Sequence, residues 1–368
     1  MFIKEIHIYR KELPIKDGPY IMSDITLEQV DSTIVEIVTN TGLVGYGETC
    51  PLGAVYQPAH ALGARAALRQ LCPGLIGESP LAIDTAHRNM NELLNGHRYA
   101  KAALDIALWD ICGKHYNVPL CTLLGGAVAP SVRTYYALGI DSPEDTARRA
   151  SDKAREGFSR LQVKVGGRTI DEDIATLHQV AEAVGQRVKL VADANRAWTA
   201  ADLLQVSTAC RSVPLVLEQP CDSLQEIARV RAQLCHPVFI DERSESIAAM
   251  LTCIERGIAD GFSLKATRLG GVSAMRTARD VCAARSLPHT CDDAWGGDII
   301  AAACVHLGAT VDPRLFEGTW IAAPYIDEHY DEKQGVRIEG GRIGVPLGPG
   351  LGVVPPAGFF GSALCSFG

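Results

Sequence analysis

Apolar and polar residues alternate with a period of two near the N-terminus, a pattern typical of half-buried β-strands. A helical period follows, in which Ala100, Ala103, Ala107 and Ile111 fall on one face. That period predicts a helix over residues 98–114, ended by Gly113 and the basic residues after it. The N-terminal strands are predicted at residues 3–9, 32–39 and 42–47.

After residue 126 the pattern changes to short apolar runs that alternate with helical stretches. Such alternation favours a parallel sheet, and eight units favour a closed barrel over an open doubly wound sheet. The open sheet would carry a G-x-G-x-x-G turn after its first strand, and the chain has none there. The eight strands are predicted at residues 133–140, 160–165, 188–193, 214–218, 237–241, 261–265, 287–292 and 313–317.

These patterns divide the chain into two parts. Residues 1–126 form an α+β unit and residues 127–333 form the barrel. The tail, residues 334–368, returns to strand and turn, and Gly340-Gly341 indicates a hairpin that we expect to pack on the N-terminal unit.

Composition and charge limit the classes of binding partner and the cellular compartment that we expect. A net charge of −8 argues against nucleic acid or an anionic membrane surface as a partner. No apolar run approaches the roughly 18 residues that a membrane-spanning helix needs. The twelve cysteines are scattered through apolar segments without a C-x-x-C pair, which is typical of core residues in a reducing compartment. We therefore expect a cytoplasmic protein.

A charged residue stands at the end of each of five consecutive barrel strands. A lone lysine such as Lys164 could simply extend its amine to the rim, but the set has a common spacing. The five residues are 29, 25, 23 and 24 positions apart, close to one β/α repeat each. Because a barrel places the carboxyl ends of its strands at one rim, we expect them to converge there. They are Lys164, Asp193, Glu218, Asp241 and Lys265.

Three carboxylates on adjacent strands repel one another unless a cation lies between them. Oxygen ligands of this kind suit Mg²⁺, so Asp193, Glu218 and Asp241 are the predicted metal ligands. Lys164 and Lys265 are four strands apart in a ring of eight and should face each other across the mouth. We expect burial and the metal to lower the pKa of these lysines. A substrate carboxylate on the metal would then present its α-carbon to two amines that can exchange a proton through an enediolate.

The order of these five residues resembles the muconate-lactonizing-enzyme subgroup of the enolase superfamily, over essentially the whole chain. The similarity includes ALDIALWDICGK, VADAN, LEQP, IDE and KATRLGG. It implies a modified TIM barrel, (β/α)7β, with an N-terminal α+β capping domain completed by the C-terminal tail. It also implies Mg²⁺ as cofactor and a homo-oligomer. The subgroup usually has Lys-x-Lys at the end of strand two, whereas here Gln162 precedes Lys164.

Aromatic residues near the barrel mouth indicate a cage for an organic cation. Two loops, residues 16–24 and 48–58, carry Tyr20 and Tyr56, and the last two barrel strands lead to Trp295 and Trp320. KDGPY, GETCPLG, LQVKVGG, CDDAWGGDIIAAAC and EGTW resemble the 4-hydroxyproline betaine 2-epimerases of the subgroup. The resemblance implies epimerisation of a small zwitterionic carboxylate. The substrate-binding residues we expect are Tyr20, Tyr56, Gln162, Asn195, Asp292, Asp293, Trp295 and Trp320.

Alternatives remain open at this stage. A cis-3-hydroxy-L-proline dehydratase would share the enediolate but expel a β-substituent. Dipeptide epimerases usually have an Asp-x-Asp motif at strand eight, where this chain has Phe316-Glu317-Gly318. A Schiff-base aldolase would use one lysine as a nucleophile, and a barrel that only binds a cationic ligand would need neither lysine.

Overall fold

The structure is a computed structural model that describes residues 1–22, 25–53 and 55–368. Its N-terminal part is an antiparallel sheet covered by helices, as the alternating pattern predicts. The long helix α3 packs closely on strand β5. The packing requires glycine at position 47, since a Cβ atom there would lie only 1.8 Å from the carbonyl oxygen of Ala103. The elements here are β1 (Ile3–Pro14), β2 (Tyr20–Met22), β3 (Ile25–Leu27), β4 (Gln29–Thr39), β5 (Val44–Thr49), α1 (Ala61–Leu71), α2 (Ile83–Leu93), α3 (Arg98–Tyr116) and α4 (Leu120–Leu123).

The predicted loop at residues 16–24 contains a strand. Tyr20–Met22 pairs with Ile25–Leu27 as the antiparallel hairpin β2–β3, while Ser23 and Asp24 lie outside the described residues. The aromatic side chain of Tyr20, on this hairpin, points toward the protein interior and is buried. The second loop, residues 48–58, carries Tyr56, which is also buried.

Eight parallel strands follow in sequential order, which confirms the predicted barrel sheet. Each strand is followed by helix or loop that returns the chain to the N-terminal rim. The elements of this part are β6 (Ser131–Arg133), β7 (Tyr136–Leu138), α5 (Pro143–Arg155), β8 (Arg160–Lys164), α6 (Ile170–Val184), β9 (Lys189–Asp193), α7 (Ala200–Ala209), β10 (Leu215–Glu218), α8 (Leu224–Val230), β11 (Val238–Ile240), α9 (Ile247–Glu255), β12 (Gly261–Lys265), α10 (Ala266–Leu269), α11 (Val272–Ala284), β13 (His289–Asp292), α12 (Asp298–Gly308) and β14 (Phe316–Gly318).

The first barrel strand is shorter than predicted. Of the run predicted at residues 133–140, only Tyr136–Leu138 joins the barrel sheet, as β7, which pairs with β8. Arg133, at the start of that run, is the last residue of β6, which joins another sheet. The last strand meets the first near this break, where the Thr319 amide donates to the Arg133 carbonyl at 2.9 Å. The guanidinium of Arg133 also donates to the Phe316 carbonyl at 2.5 Å. These bonds link the two edges of the barrel sheet.

The tail completes both parts of the chain, but its hairpin does not pack where we expected. The hairpin strands are β15 (Ile338–Glu339) and β16 (Arg342–Gly344), which pair with each other. β16 also pairs with β6, the strand that precedes the first barrel strand. The last strand, β17 (Cys365–Phe367), instead extends the N-terminal sheet by pairing with β1. Such long-range pairing is set by tertiary contacts that local sequence does not encode. Within the described residues, no helix combines the length and apolar character needed to traverse a bilayer.

Candidate active site

Strand register brings the five predicted charged residues to one rim. Lys164, Asp193 and Glu218 are direct neighbours across β8, β9 and β10. Asp241 follows the last residue of β11, and Lys265 ends β12. The three carboxylates are almost fully enclosed, with exposures of 0–1%. Parallel pairing of consecutive strands therefore gathers three acids and two amines at a rim that is shielded from water.

Asp193 and Asp241 each contact a lysine. The Lys164 Nζ lies 2.5 Å from Asp193 Oδ2, and it also donates to Asn195 Oδ1 at 3.0 Å. The Lys265 Nζ donates to Asp241 Oδ2. The two lysines stand on β8 and β12, which are four strands apart in the sheet order, and both line one cleft.

A tyrosine and an arginine complete the environment of Asp241. The Tyr56 hydroxyl donates to Asp241 Oδ2 at 2.9 Å and accepts from Lys265 Nζ at 2.6 Å. The Arg268 guanidinium donates to Asp241 Oδ1 and, at 3.1 Å, to the Tyr56 hydroxyl. Burial opposes ionisation of Asp241, but Arg268 and Lys265 hold its pKa below the ordinary value. Tyr56 thus ties the 48–58 loop to the charged rim.

Glu218 has a different environment, because neither lysine donates to it in the structure. Gln162 Nε2 donates to Glu218 Oε1 at 3.0 Å. Its other oxygen, Oε2, is buried and has no hydrogen-bond partner among the described residues. Burial, together with Asp193 and Asp241, raises the pKa of Glu218 to about 8. Glu218 therefore accepts a hydrogen bond from a neutral side chain, whereas Asp193 and Asp241 accept hydrogen bonds from lysines.

The expected lowering of the lysine pKa is not found among the protein groups. Burial favours the neutral amine of Lys164, but Asp193, with Tyr20 and Tyr56, raises its pKa above the ordinary value. Asp241 has the same effect on Lys265. The sequence argument considered burial and a cation but not the direct carboxylate partner that each amine finds.

The donor chemistry of this rim fits Mg²⁺. Asp193, Glu218 and Asp241 offer only oxygen, come from adjacent strands and are buried, and Glu218 Oε2 has no partner among the described residues. Within the described residues, the donor atoms of these three carboxylates are not gathered into one coordination shell. Two of the carboxylates instead face the lysines.

An aromatic wall stands beside the lysines in the same cleft. The Trp295 ring packs edge-on against Tyr20 and Trp320, with centroids 5.6 and 5.4 Å apart. Tyr325, which the sequence analysis missed, lies behind them and contacts all three rings. No sequence pattern marked Tyr325. The predicted residues that line the cleft are Tyr20, Tyr56, Gln162, Lys164, Lys265, Asp293, Trp295 and Trp320.

Two predicted substrate contacts lie behind the cleft wall. Asp292 is enclosed by Tyr135, whose hydroxyl donates to it at 2.8 Å, and by the Trp320 amide, which donates at 2.6 Å. Burial raises the pKa of Asp292 to about 6. Asn195 is engaged with Lys164 and, through Nδ2 at 3.1 Å, with Glu242. Each of these residues supports a lining residue of the cleft.

Residues with a strained, left-handed backbone conformation come directly after two of the strands that carry the carboxylates. Asn195 and Arg196, just after β9, have φ angles of +43° and +75°, and Gln219, just after Glu218, has +32°. Non-glycine residues adopt the left-handed region at a cost, and such residues cluster at functional sites. The Arg196 guanidinium donates to the Val55 carbonyl of the 48–58 loop at 2.9 Å. Arg268, which the sequence analysis also missed, stands one helical turn after Lys265, and that spacing could have identified it.

Comparison with known proteins agrees with this geometry. Residues 3–125 match the mandelate racemase/muconate lactonizing enzyme N-terminal domain, and residues 145–357 match the enolase C-terminal domain-like family. A cis-3-hydroxy-L-proline dehydratase from Roseibium aggregatum is 37% identical over 356 residues, which cover 96% of both chains. A hydrophobic dipeptide epimerase from Enterococcus faecalis is 33% identical over 77% of this chain and 79% of its own.

Solved structures give the same assignment. An enolase-superfamily member from Roseovarius nubinhibens, complexed with magnesium, superposes with a TM-score of 0.94 at 30% identity, covering 99% of both chains. Relatives of this chain thus include amino-acid and dipeptide epimerases and a dehydratase. The chain is an enzyme of the enolase superfamily and belongs to its muconate-lactonizing-enzyme subgroup.

Proposed function

We propose that this enzyme is a Mg²⁺-dependent 2-epimerase of 4-hydroxyproline betaine and proline betaine. The observation that carries the proposal is the cleft itself: two lysines from strands four apart line it, beside an aromatic wall. In the proposal Asp193, Glu218 and Asp241 hold the metal, and Lys164 and Lys265 are the catalytic residues. Bound Mg²⁺ would stabilise the negative charge that develops on the substrate carboxylate.

The two lysines move one proton each. A neutral amine on one side takes the C2 proton, and the electron pair of that bond enters the enediolate. The ammonium on the other side then donates a proton to the opposite face of C2, which inverts the centre. Asp193 raises the pKa of Lys164 and Asp241 raises the pKa of Lys265, which favours the protonated amines. Recruitment of the two aspartates as metal ligands would remove that restraint.

The quaternary ammonium of a betaine suits the aromatic wall. Two residues of this wall, Trp295 and Trp320, are buried and line the cleft, as does Tyr56 from the 48–58 loop. A cation against such faces gains about 0.5–2 kcal/mol for each contact. Asp293 lines the same cleft and supplies a negative group, although its carboxylate also accepts from the Thr267 amide and hydroxyl at 2.7 and 2.8 Å. We assign the ammonium to this side of the cleft.

A second candidate is supported by a specific finding. The relative that is 37% identical over 356 residues is a cis-3-hydroxy-L-proline dehydratase. A dehydratase would use the same C2 deprotonation and then expel the β-hydroxyl as water. Lys164 and Lys265 could serve either reaction, so the presence of the two lysines does not distinguish an epimerase from a dehydratase.

Proton NMR in D₂O with Mg²⁺ separates them. For the epimerase, the C2 proton signals of both enantiomers of proline betaine disappear, the epimer accumulates, and no ultraviolet-absorbing or keto product forms. Chelation of the metal with EDTA should stop the exchange. Conversion of cis-3-hydroxy-L-proline to a keto product, without exchange on either betaine, would replace this assignment with the dehydratase.

A further inference from the structure

Arg160 is a buried cation that the mechanism above does not use. It lies on the same face of β8 as Gln162 and Lys164, two and four residues before them, and all three point into the barrel. Arg160 therefore stands one pleat below Gln162, inside the barrel and under the metal ligands. Its residue exposure is only 4%.

Among the described residues, the guanidinium has charged and aromatic neighbours but no hydrogen-bond partner. All three of its nitrogens lack a partner among the described residues. It stacks on Tyr135, with Cζ 3.9 Å from the ring centroid. Glu218 Oε2 lies 3.8 Å from Nη2, and Glu317 Oε2 lies 3.9 Å from Nε. A charge held this deeply is costly unless it serves its neighbours.

Glu218 is divided between two environments. Its Oε1 accepts from Gln162 at the floor of the cleft, whereas its otherwise unpartnered Oε2 is the oxygen that approaches Arg160. The other two carboxylates contact cations in or beside the cleft, namely Lys164 for Asp193 and Lys265 with Arg268 for Asp241. The two lysines must leave their partners to act on substrate. Arg160 approaches from inside the barrel and can stay in place.

We propose that Arg160 is a positioning residue for the metal site, a fixed counter-charge that draws electron density from Glu218. A carboxylate shared with a guanidinium donates less charge to a metal, since neighbours of a ligand tune its donor strength. Asp193, Glu218 and Asp241 would then hold a bound metal less tightly, and that metal would keep more positive charge to offset the charge of the enediolate. This inference rests on the metal site of the proposed function but not on the identity of the betaine.

The test is a comparison of Arg160→Met with wild type by calorimetric titration of the metal-depleted enzyme with Mn²⁺, alongside C2-proton exchange. We expect Mn²⁺ affinity to rise by roughly tenfold, because a positive charge near the metal site is removed, and kcat to fall by about 10- to 100-fold. Arg160→Lys keeps the charge and should restore both values toward wild type. Arg160→Gln, read in the same way, replaces the methionine variant if that variant does not fold.

The matched control is Lys189→Met. Lys189, the first residue of β9, is a solvent-exposed cation whose Nζ donates to Glu317 Oε1 at 2.7 Å, and its substitution should leave Mn²⁺ affinity unchanged. Unchanged or weaker Mn²⁺ binding in Arg160→Met overturns the proposal, because a merely structural role would weaken metal binding and catalysis together. If the wild type exchanges no betaine, the substrate assignment fails, while the Mn²⁺ titration still decides the role of Arg160.

Discussion

At the scale of single residues, the rim of the barrel is a set of paired charges. Asp193 and Asp241 each accept a hydrogen bond from a lysine amine, and Glu218 accepts one from the side-chain amide of Gln162. The five charged residues that the sequence identified at this rim are those fixed by the barrel repeat, since the end of each strand can be counted. Arg160 and Arg268 escaped notice because their roles depend on side-chain contacts between strands.

The Tyr56 hydroxyl is predicted to matter for turnover more than for binding. It bonds to Asp241, Lys265 and Arg268, and a hydrogen bond to a charged group is worth about 1.5–3 kcal/mol. In Tyr56→Phe the ring remains, so we expect kcat to fall by roughly tenfold or more with little change in KM. Steady-state kinetics on proline betaine would check this.

Tyr9→Phe is the control for that substitution. The Tyr9 hydroxyl contacts Glu36 at 3.5 Å on the N-terminal sheet, away from the cleft. It should leave kcat and KM unchanged. A large rise in KM with normal kcat in Tyr56→Phe would show that the hydroxyl acts on substrate binding instead.

At the scale of elements, α3 joins the N-terminal part to the barrel. Asp105 on α3 accepts from the amide and hydroxyl of Ser273, in the first turn of α11, at 3.1 and 2.5 Å. His87 on α2 contacts the same carboxylate at 2.6 Å. The position of α3 followed from its helical period, whereas this junction did not, because it joins residues 168 positions apart.

The His87–Asp105 pair should make stability depend on pH. Burial favours the neutral ring, but Asp105 raises the pKa of His87 above its ordinary value of about 6.5. A raised folded-state pKa gives stability that is fully present below about pH 6.5 and is lost as pH rises through the folded value. We expect His87→Gln to lower the free energy of unfolding more at pH 6 than at pH 9.

Urea unfolding at several pH values measures this difference. His115→Gln, an exposed histidine near the end of α3, is the control and should show no such trend. A destabilisation by His87→Gln that is the same at pH 6 and pH 9 would assign the effect to packing rather than to the ion pair.

At the scale of the whole molecule, the two parts of the chain meet around a buried acid. Glu48 accepts from the Ser32 hydroxyl at 2.7 Å, the Gly297 and Ile300 amides at 2.8 and 3.1 Å, and the Tyr330 hydroxyl at 2.8 Å. It connects the N-terminal sheet with the first turn of α12. The sequence predicted the sheet and the barrel separately, but nothing in Glu48 itself indicated which segments it would join.

Glu48→Ala should therefore destabilise the whole molecule. It would leave several buried donors without an acceptor, each costing about 1–3 kcal/mol. We expect the melting temperature to fall by several degrees, measured by calorimetry. Glu36→Ala, on the same sheet but partly exposed, is the control. Equal melting temperatures for the two variants would contradict a joining role for Glu48.

The central claim is that two amines reach the α-carbon from opposite sides. The most direct measurement is C2-proton exchange in D₂O for Lys164→Ala and Lys265→Ala, each given the separate enantiomers of proline betaine. We predict that each variant loses interconversion by about 10²- to 10⁴-fold. Each should still exchange one enantiomer, and the retained enantiomer should differ between the two variants. Equal loss of exchange on both enantiomers in both variants would contradict the account.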